Sequence, residues 1–257
     1  MSWKELVAGE NIKNVLNDFL VFEKSNIISD EKISVKEIAG MIDHTLLKPD
    51  ATLAEIKQLC EEAMQYNFAS VCVNPSWVQT CFDMIKSSNV KVCTVVGFPL
   101  GATTTYSKVM EAEEAIKNGA EELDMVMNVG KLKDKDYEFV FNDLKIIADL
   151  SKKHLCISKV ILETCLLNDE EKVAACLLAK EAGLNFVKTS TGFSKSGATV
   201  NDVAVMKFVV REKLQVKASG GIRSYEDAIA MLNAGATRLG ASAGVKIIAG
   251  QKSENDY

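Results

Sequence analysis

Short apolar runs alternate with helical stretches from residue 41 onward, and this alternation constrains the fold more than any other feature. Between the runs, apolar residues recur at i, i+3 and i+4, the spacing of amphipathic helices. The eight runs lie at residues 41–45, 68–73, 90–97, 122–128, 156–163, 185–190, 215–219 and 237–241. Eight strands alternating with helices predict an α/β fold, a (β/α)8 TIM barrel, and the 257 residues match its usual size of about 250.

A doubly wound open sheet is the competing architecture for such a pattern. That fold usually has fewer strands, and a glycine-rich turn follows its first strand. The first run here continues instead into Asp43-His44-Thr45-Leu46-Leu47. The closed barrel is therefore the favoured fold.

The pattern divides the chain into one barrel and two short flanking segments. Residues 1–40 predict an N-terminal helical extension that covers the bottom or the side of the barrel. Its packing face is marked by Val7, Ile12, Val15, Leu16 and Phe19. Residues 41–250 form the barrel, and residues 251–257 form a C-terminal tail. No linker or low-complexity segment separates them, so we expect a single domain.

Composition argues against several classes of function. The net charge is −5, the isoelectric point is near 5.3, and no basic block is present, so we expect no binding to nucleic acid or to a membrane surface. The seven cysteines include no C-x-x-C pair, and His44 and His154 are too few for a histidine-based metal centre. We therefore expect no metal ion and a reducing compartment. No apolar stretch has the length of a membrane span, so a soluble, cytoplasmic protein is expected.

Two lysines lie inside apolar runs, where an unpaired cation is costly to bury: Lys188 within residues 185–190 and Lys217 within residues 215–219. Side chains alternate between the two faces of a strand, so inward lysines on neighbouring strands come within several ångströms of each other. Two ammonium ions about 5 Å apart repel by roughly 3 kcal/mol at an effective dielectric of about 20, enough to lower one pKa from about 10.4 to about 8. This pattern predicts an amine nucleophile beside a second cation. Two unrelated salt-bridged lysines are the structural alternative.

Three carboxylates in other runs have roles that the residues alone leave open. Asp124, between Leu123 and Met125, either neutralises a lysine or relays protons beside one. Asp43 either orients the same network or serves as a cap for the loop at Thr45. We expect Glu163 to form a salt bridge behind the site rather than to act as acid or base.

Glycine-rich loops follow the last three runs, which is the usual place of the phosphate site in this class of barrel. They contain Thr191-Gly192, Ser219-Gly220-Gly221-Ile222-Arg223 and Gly240-Ala241-Ser242-Ala243-Gly244. Backbone N–H groups and a short helix that starts near Ser242 would supply the anion site. Cys72 is a candidate nucleophile, although a buried structural cysteine is the favoured interpretation.

At these residues the chain resembles the deoxyribose-phosphate aldolase family, whose members are metal-free Schiff-base aldolases with a (β/α)8 fold. The resemblance extends from about residue 42 to residue 250. Six segments carry it: Ile42-Asp43-His44-Thr45-Leu46-Leu47, Val71-Cys72-Val73-Asn74-Pro75, Val96-Gly97-Phe98-Pro99-Leu100-Gly101, Glu122-Leu123-Asp124-Met125-Val126, Val187-Lys188-Thr189-Ser190-Thr191-Gly192-Phe193 and Val216-Lys217-Ala218-Ser219-Gly220-Gly221-Ile222-Arg223.

The resemblance implies that Lys188 forms the imine, that Lys217 is the cation lowering its pKa, and that Asp124 shares proton transfer with Lys217. It implies substrate or phosphate contacts for Asp43, Cys72, Thr191, Gly192, Gly220, Gly221, Arg223, Gly240 and Ser242. The implied reaction is the reversible cleavage of 2-deoxy-D-ribose 5-phosphate to acetaldehyde and D-glyceraldehyde 3-phosphate, with no cofactor. Exposed apolar positions in the first forty residues favour a homo-oligomer, a dimer or a tetramer.

Two positions depart from the family pattern. Ala243 stands where members commonly carry a second serine, and the loss of about 1 kcal/mol from one hydrogen bond would weaken phosphate binding several-fold. Lys131 replaces a small residue. Two other functions stay open: a Schiff-base aldolase for a different sugar phosphate, and an inactive barrel that only binds a phosphorylated metabolite.

Overall fold

Eight parallel strands close into a barrel in the part of the chain that the computed structural model describes, residues 2–25 and 33–252, without the side chains of residues 24 and 25. Each strand pairs with its neighbour in sequence, and the last pairs with the first. The strands are β1 (Ile42–Leu46), β2 (Ser70–Val73), β3 (Lys91–Val96), β4 (Glu122–Val126), β5 (Ile157–Ile161), β6 (Phe186–Lys188), β7 (Gln215–Ser219) and β8 (Arg238–Ala241). The predicted (β/α)8 barrel is confirmed.

Helices surround the barrel and connect successive strands. They are α1 (Trp3–Leu6), α2 (Gly9–Ser25), α3 (Val35–Ala39), α4 (Leu53–Tyr66), α5 (Val78–Ile85), α6 (Thr105–Lys117), α7 (Val129–Lys133), α8 (Tyr137–Lys153), α9 (Asp169–Ala182), α10 (Val200–Val210), α11 (Tyr225–Asn233) and α12 (Gly244–Ile248), with short 3-10 turns at Pro75–Trp77 and Thr164–Leu166. None of the helices in the described residues is long and apolar enough to cross a membrane.

Local sequence fixes where several of these helices begin and end. Thr52 caps α4 by accepting a hydrogen bond from the Glu55 N–H, and the Glu55 carboxylate accepts from the Thr52 N–H in return. Ser224 and Asp227 form the same reciprocal pair at the start of α11. At the end of α9, Gly183 takes the left-handed conformation with φ at +83°, which carries no steric cost for glycine.

Helices α1 and α2 of the N-terminal extension lie along the side of the barrel. Helix α1 contacts α9, and α2 contacts α9 and α10. Three of the five residues in the predicted packing face are buried there: Val7, Ile12 and Phe19. The ring of Phe19 meets that of Phe208 edge-on at 5.6 Å. Residues 253–257 of the predicted C-terminal tail lie outside the described residues.

Candidate active site

The barrel interior contains a buried network of acidic and basic side chains. Strands β1 and β4 supply the carboxylates, and β5 to β8 supply the cations. The members are Asp43, Glu122, Asp124, Lys159, Lys188, Lys217 and Arg238. Except for the partly buried Arg238, each is at most 3% exposed. A charge buried this deeply persists only with ionic or hydrogen-bonding partners. The contacts within the network therefore explain how all seven side chains can be buried together.

Asp124 is the centre of this network. Its Oδ2 accepts hydrogen bonds from Lys188 Nζ and from Lys217 Nζ, both at 2.8 Å. The two amines therefore lie within twice that distance of each other, as the sequence predicts, and the two lysines are direct register partners on β6 and β7. The other oxygen, Oδ1, accepts from Lys159 Nζ at 2.7 Å and from Cys93 Sγ at 3.2 Å. One carboxylate thus contacts three ammonium groups.

Asp43 belongs to the same network, which decides between the two roles that the sequence left open for it. Its Oδ1 accepts from Arg238 Nη1 at 2.6 Å and from Ser70 Oγ at 2.7 Å. Its Oδ2 forms an ion pair with Lys217. Thr45 instead donates its hydroxyl to the backbone carbonyl of Asp43. The carboxylate of Asp43 therefore orients Lys217 and does not act as a loop cap.

Burial and charge oppose each other at these groups, and charge prevails. Burial by itself would raise the pKa of Asp124, but Lys159, Lys188 and Lys217 hold this pKa well below its usual value. The pKa of Asp43 is likewise lowered, since Lys217 and Lys159 outweigh its burial. Burial by itself would lower the pKa of Lys217, but Asp124 and Asp43 raise it above its usual value. Asp124, Asp43 and Lys217 are therefore ionised at neutral pH.

Sequence reasoning missed four members of the site. Lys159 lies inside an apolar run, the same signal that identified Lys188 and Lys217, and it could have been found in that way. Its Nζ contacts Glu122 Oε2 at 2.5 Å as well as Asp124. Arg238 bridges Glu122 and Asp43, and Cys93 contacts both Asp124 and Lys159. For Glu122, Arg238 and Cys93 no comparable signal exists, because their partners lie on other strands that the fold brings beside them.

The charged residues of the network lie at different positions along their strands. Asp43 is the second residue of β1, and Asp124 is the middle residue of β4. Lys188, by contrast, is the last residue of β6. Strands in a closed barrel are tilted and staggered, so residues at different positions along their strands reach one level of the interior.

The loops after β6 and β7 pack backbone against backbone. Gly220 and Gly221 have φ at +82° and +77°. A Cβ on Gly197 would lie 2.1 Å from the carbonyl oxygen of Gly220, so this crossing requires glycine. Gly192, Arg223 and Ser242 are half-buried, and Gly221 is exposed. These loops therefore bring accessible backbone and side chains together beside the strand that carries Lys188.

Three predicted site residues have contacts that the sequence did not indicate. Thr191 donates its N–H and its hydroxyl to the carboxylate of Glu163, which was expected to form a salt bridge. Glu163 adopts a left-handed backbone with φ at +55° to reach this position. Gly240 lies against Lys217, because a Cβ there would come 3.0 Å from Lys217 Cε. Gly240 thus leaves room for the lysine side chain.

Cys72 is fully buried, and its sulfur lies within 4.8 Å of that of Cys93. One ligand atom from each of Cys72, Cys93 and Asp124 lies within 4.8 Å of the others, a spacing that could hold a metal ion. The Asp124 oxygens already accept from three ammonium groups, however, and these would repel a metal cation. His44 lies elsewhere, with its Nε2 2.6 Å from Glu62, and its ring packs on that of Phe68.

A (β/α)8 barrel with clustered interior lysines and glycine-rich loops after its last strands defines a class of barrel enzymes with an amine-based site. The family model described as DeoC/LacD family aldolase matches residues 37–250. The chain belongs to this family.

Similar proteins match most of the chain. A deoxyribose-phosphate aldolase of Caldanaerobacter subterraneus is 60% identical over 216 residues, which are 84% of this chain and 94% of the relative. One of Clostridium perfringens is 55% identical over 222 residues, 86% of this chain and 99% of the relative. The solved structure of a tetrameric deoxyribose phosphate aldolase from Aeropyrum pernix has a TM-score of 0.80 at 32% identity, and the match covers 92% of this chain and 96% of that one.

Proposed function

We propose that this protein cleaves 2-deoxy-D-ribose 5-phosphate reversibly to acetaldehyde and D-glyceraldehyde 3-phosphate, through an imine on Lys188. The observation that carries the proposal is the shared oxygen of Asp124, to which Lys188 and Lys217 each donate at 2.8 Å. The family membership and the relatives named deoxyribose-phosphate aldolase support the choice of substrate.

The charge balance of the network supports Lys188 as the nucleophile. Among the described residues, the network has four cations and three carboxylates: Lys159, Lys188, Lys217 and Arg238 against Asp43, Glu122 and Asp124. Lys217 contacts Asp43 as well as Asp124, and Lys159 contacts Glu122 as well. Lys188 contacts Asp124 through an oxygen that Lys217 shares. When Lys188 reacts as a neutral amine, the remaining charges are matched.

Every intermediate of the reaction is bound covalently to Lys188. The neutral amine attacks C1 of the open-chain sugar phosphate, and loss of water gives a protonated imine. The C3 hydroxyl then loses its proton, the C2–C3 bond breaks, and its electron pair flows into the imine to form an enamine. D-glyceraldehyde 3-phosphate leaves, a proton adds to the enamine carbon, and hydrolysis of the new imine releases acetaldehyde and restores Lys188.

Asp124 and Lys217 guide the proton transfers. The pKa of Asp124 lies well below its usual value, and the pKa of Lys217 lies above it, so the pair stays ionised at neutral pH. A carboxylate held in this state is a weak base, so the proton passes through a water molecule that the pair orients. Lys217 also keeps a positive charge beside the reacting amine, and Asp43 holds Lys217 in place.

The glycine-rich loops bind the phosphate at the far end of the substrate. Gly192, Gly220 and Gly221 present backbone, and Arg223 and Ser242 are half-buried beside them. Binding energy from this remote group orients the carbonyl at Lys188. Thr191 contacts the substrate while Glu163 holds its side chain by a hydrogen bond. Cys72 and Gly240 lie beside the lysines.

We also propose that the reaction needs no metal ion or other cofactor, because the imine itself accepts the electron pair. Exposed apolar residues on α2, which are Leu20, Val21 and Phe22, support a homo-oligomer, and the relative from Aeropyrum pernix is tetrameric. The seven free thiols support a cytoplasmic location.

Borohydride trapping tests the imine directly. Incubation with acetaldehyde and sodium borohydride should add one reduced two-carbon group to the protein, at Lys188 by peptide mass spectrometry. The matched variants Lys188→Met and Lys159→Met separate the nucleophile from another buried lysine of the cluster, since only the first change removes the acceptor nitrogen. An adduct on another lysine would refute the assignment.

A comparison of donors separates the proposed substrate from a different sugar phosphate. The wild-type protein should join D-glyceraldehyde 3-phosphate to acetaldehyde and should leave dihydroxyacetone phosphate unused. Preference for the ketone donor would identify an aldolase of another specificity. Absence of turnover with both donors would leave a phosphate-binding barrel.

A further inference from the structure

Two cysteines lie side by side in the barrel, next to the lysine network. Cys72 on β2 and Cys93 on β3 are direct register partners, and both are fully buried. Neither forms a covalent bond in the proposed reaction. We propose that Cys72 and Cys93 are an oxidisable dithiol, which peroxide closes to a disulfide that slows the enzyme. The effect on turnover rests on the proposed function; the disulfide itself does not.

The backbone already satisfies the geometry of such a bond. Neighbouring strands lie about 4.7–4.9 Å apart, and the Cα atoms of a disulfide are usually about 4.4–6.8 Å apart. The two sulfur atoms lie within 4.8 Å of each other. The spacing of the strands therefore falls within the range that a disulfide spans, and closure brings the two sulfur atoms together by rotation of the side chains.

The surroundings of Cys72 favour its reaction with an oxidant. Cys93 lowers the pKa of the Cys72 thiol, and the positive charges of Lys217 and Lys188 act in the same direction against burial and Asp124. The thiolate is the reactive form of cysteine. Access is shared with the substrate, since a carbonyl that reaches Lys188 arrives beside Asp124 and therefore beside both sulfur atoms.

The oxidation balances with hydrogen peroxide as the two-electron oxidant. The Cys72 thiolate attacks one peroxide oxygen, the O–O bond breaks, and the released hydroxide takes a proton to become water. The resulting sulfenic acid is attacked by the Cys93 sulfur, which loses its proton as the S–S bond forms and a second water leaves. Two thiols and one peroxide thus give one disulfide and two waters.

Closure would disturb the residue on which the lysines depend. Cys93 Sγ donates to Asp124 Oδ1 at 3.2 Å and accepts from Lys159 Nζ at 3.3 Å. A disulfide sulfur has no proton to donate, and the new bond draws it toward Cys72. Asp124, which holds Lys188 and Lys217, then loses a hydrogen bond, and turnover should fall about tenfold or more.

A second pair of cysteines provides the comparison within the same molecule. Cys60 on α4 and Cys81 on α5 are also buried and neighbour each other. Cys81 lowers the pKa of Cys60 against the effects of burial and of Glu61, but no lysine acts on this thiol, and the pair lies in the helical layer outside the barrel. We therefore expect Cys60 and Cys81 to stay reduced when Cys72 and Cys93 oxidise.

Peptide mapping after peroxide treatment of the folded protein tests the proposal. Trypsin places Cys60, Cys72 and Cys81 on one peptide, residues 58–86, and Cys93 on another, residues 92–108. In the double variant Cys60→Ala, Cys81→Ala, a cross-link between these peptides identifies the Cys72–Cys93 bond. Fragmentation of the cross-linked wild-type peptides gives the same assignment if that variant does not fold.

The expected result is a cross-link that dithiothreitol removes, with aldolase activity lost and regained in parallel. The variant Cys93→Ala should form no cross-link between these peptides. Free thiols at both positions after treatment, or a bond to any other cysteine, would overturn the proposal, as would a complete cross-link with unchanged turnover. If the reduced protein has no aldolase activity, the proposed function is wrong. The presence or absence of the cross-link then still shows whether Cys72 and Cys93 form a disulfide.

Discussion

A buried lysine of the helical layer and the buried lysines of the barrel interior have opposite surroundings. In the helical layer, Lys108 on α6 is fully buried and donates to Asp143 Oδ2 at 2.6 Å and to the carbonyl of Val126 at 2.9 Å. The other oxygen of Asp143 accepts from Thr105 at 2.7 Å. This pair has one cation, one anion and satisfied hydrogen bonds. In the barrel interior, by contrast, three lysines share the oxygens of Asp124.

The difference between the two regions shows what distinguishes a structural lysine from a reactive one. Burial is equal in the two regions, so burial alone does not mark a reactive amine. The ratio of cations to carboxylates differs, since the interior network has one cation more than its carboxylates can match. A surplus buried charge is costly, and it persists where the chemistry of the site needs it.

Replacement of Lys188 by methionine should have the largest effect, a loss of activity without a loss of stability. Loss of the nucleophile is expected to lower kcat about a thousandfold or more. The remaining network has three cations and three carboxylates, so the free energy of unfolding should be unchanged or higher. A coupled assay for D-glyceraldehyde 3-phosphate and urea denaturation measure the two quantities. A strongly destabilised Lys188→Met protein would contradict the idea of a surplus cation.

Replacement of Lys108 by methionine should have the reverse effect. Asp143 would remain as an unpaired buried charge, and we expect a loss of roughly 3–5 kcal/mol in the free energy of unfolding. The kcat of the folded fraction should stay near that of wild type. The double variant Lys108→Met, Asp143→Leu removes both charges and should recover much of the loss. A single variant as stable as wild type would remove the contrast between the two regions.

The contribution of Asp43 to stability should depend on pH, which tests the carboxylate side of the interior network. Its folded-state pKa is lowered by Lys217 and Lys159 against the effect of burial, so its contribution to stability is present above the unfolded pKa of about 3.9. That contribution is lost as the pH falls through the folded pKa. Asp43→Asn should therefore lower the free energy of unfolding by about 2 to 3 kcal/mol at pH 6, and by progressively less below about pH 4. Urea denaturation across this range measures the difference, which a pH-independent cost would contradict.

The smallest effect is expected for an ion pair on the surface. Lys86 Nζ lies 3.1 Å from Asp83, and the two side chains are 57% and 55% exposed. Solvent screens such a pair, so Lys86→Met should change neither the midpoint of thermal unfolding nor kcat measurably. This variant is the baseline for the two buried lysines, and a clear shift in its unfolding midpoint would mean that lysine replacement itself carries a cost.

Much of the fold was accessible from local sequence because its signals are local. The predicted run at residues 215–219 coincides with β7, and the run at 237–241 begins one residue before β8. The lysines at positions 188 and 217 stood out because an apolar strand rarely contains a cation. Their facing side chains followed from the alternation of a strand.

The rest of the site depends on contacts between residues that are far apart in sequence. Arg238 and Asp43 are 195 residues apart in sequence, and nothing near either residue indicates their contact. Lys159 was visible in its own run, but its role depends on Asp124, Glu122 and Cys93 meeting it. Glu163 was expected to pair with a cation and instead holds Thr191, because its left-handed backbone turns the carboxylate toward that loop.

The sequence by itself determined the number and position of the strands, the closed barrel and the presence of lysines within it, since each follows from short-range periodicity. Only the tertiary structure decided how many cations share three carboxylates, and that Gly240 makes room for Lys217. The physical reason is the stagger of a closed barrel. It brings residues from six strands to one level, and their mutual charge, rather than any single residue, sets the chemistry of Lys188.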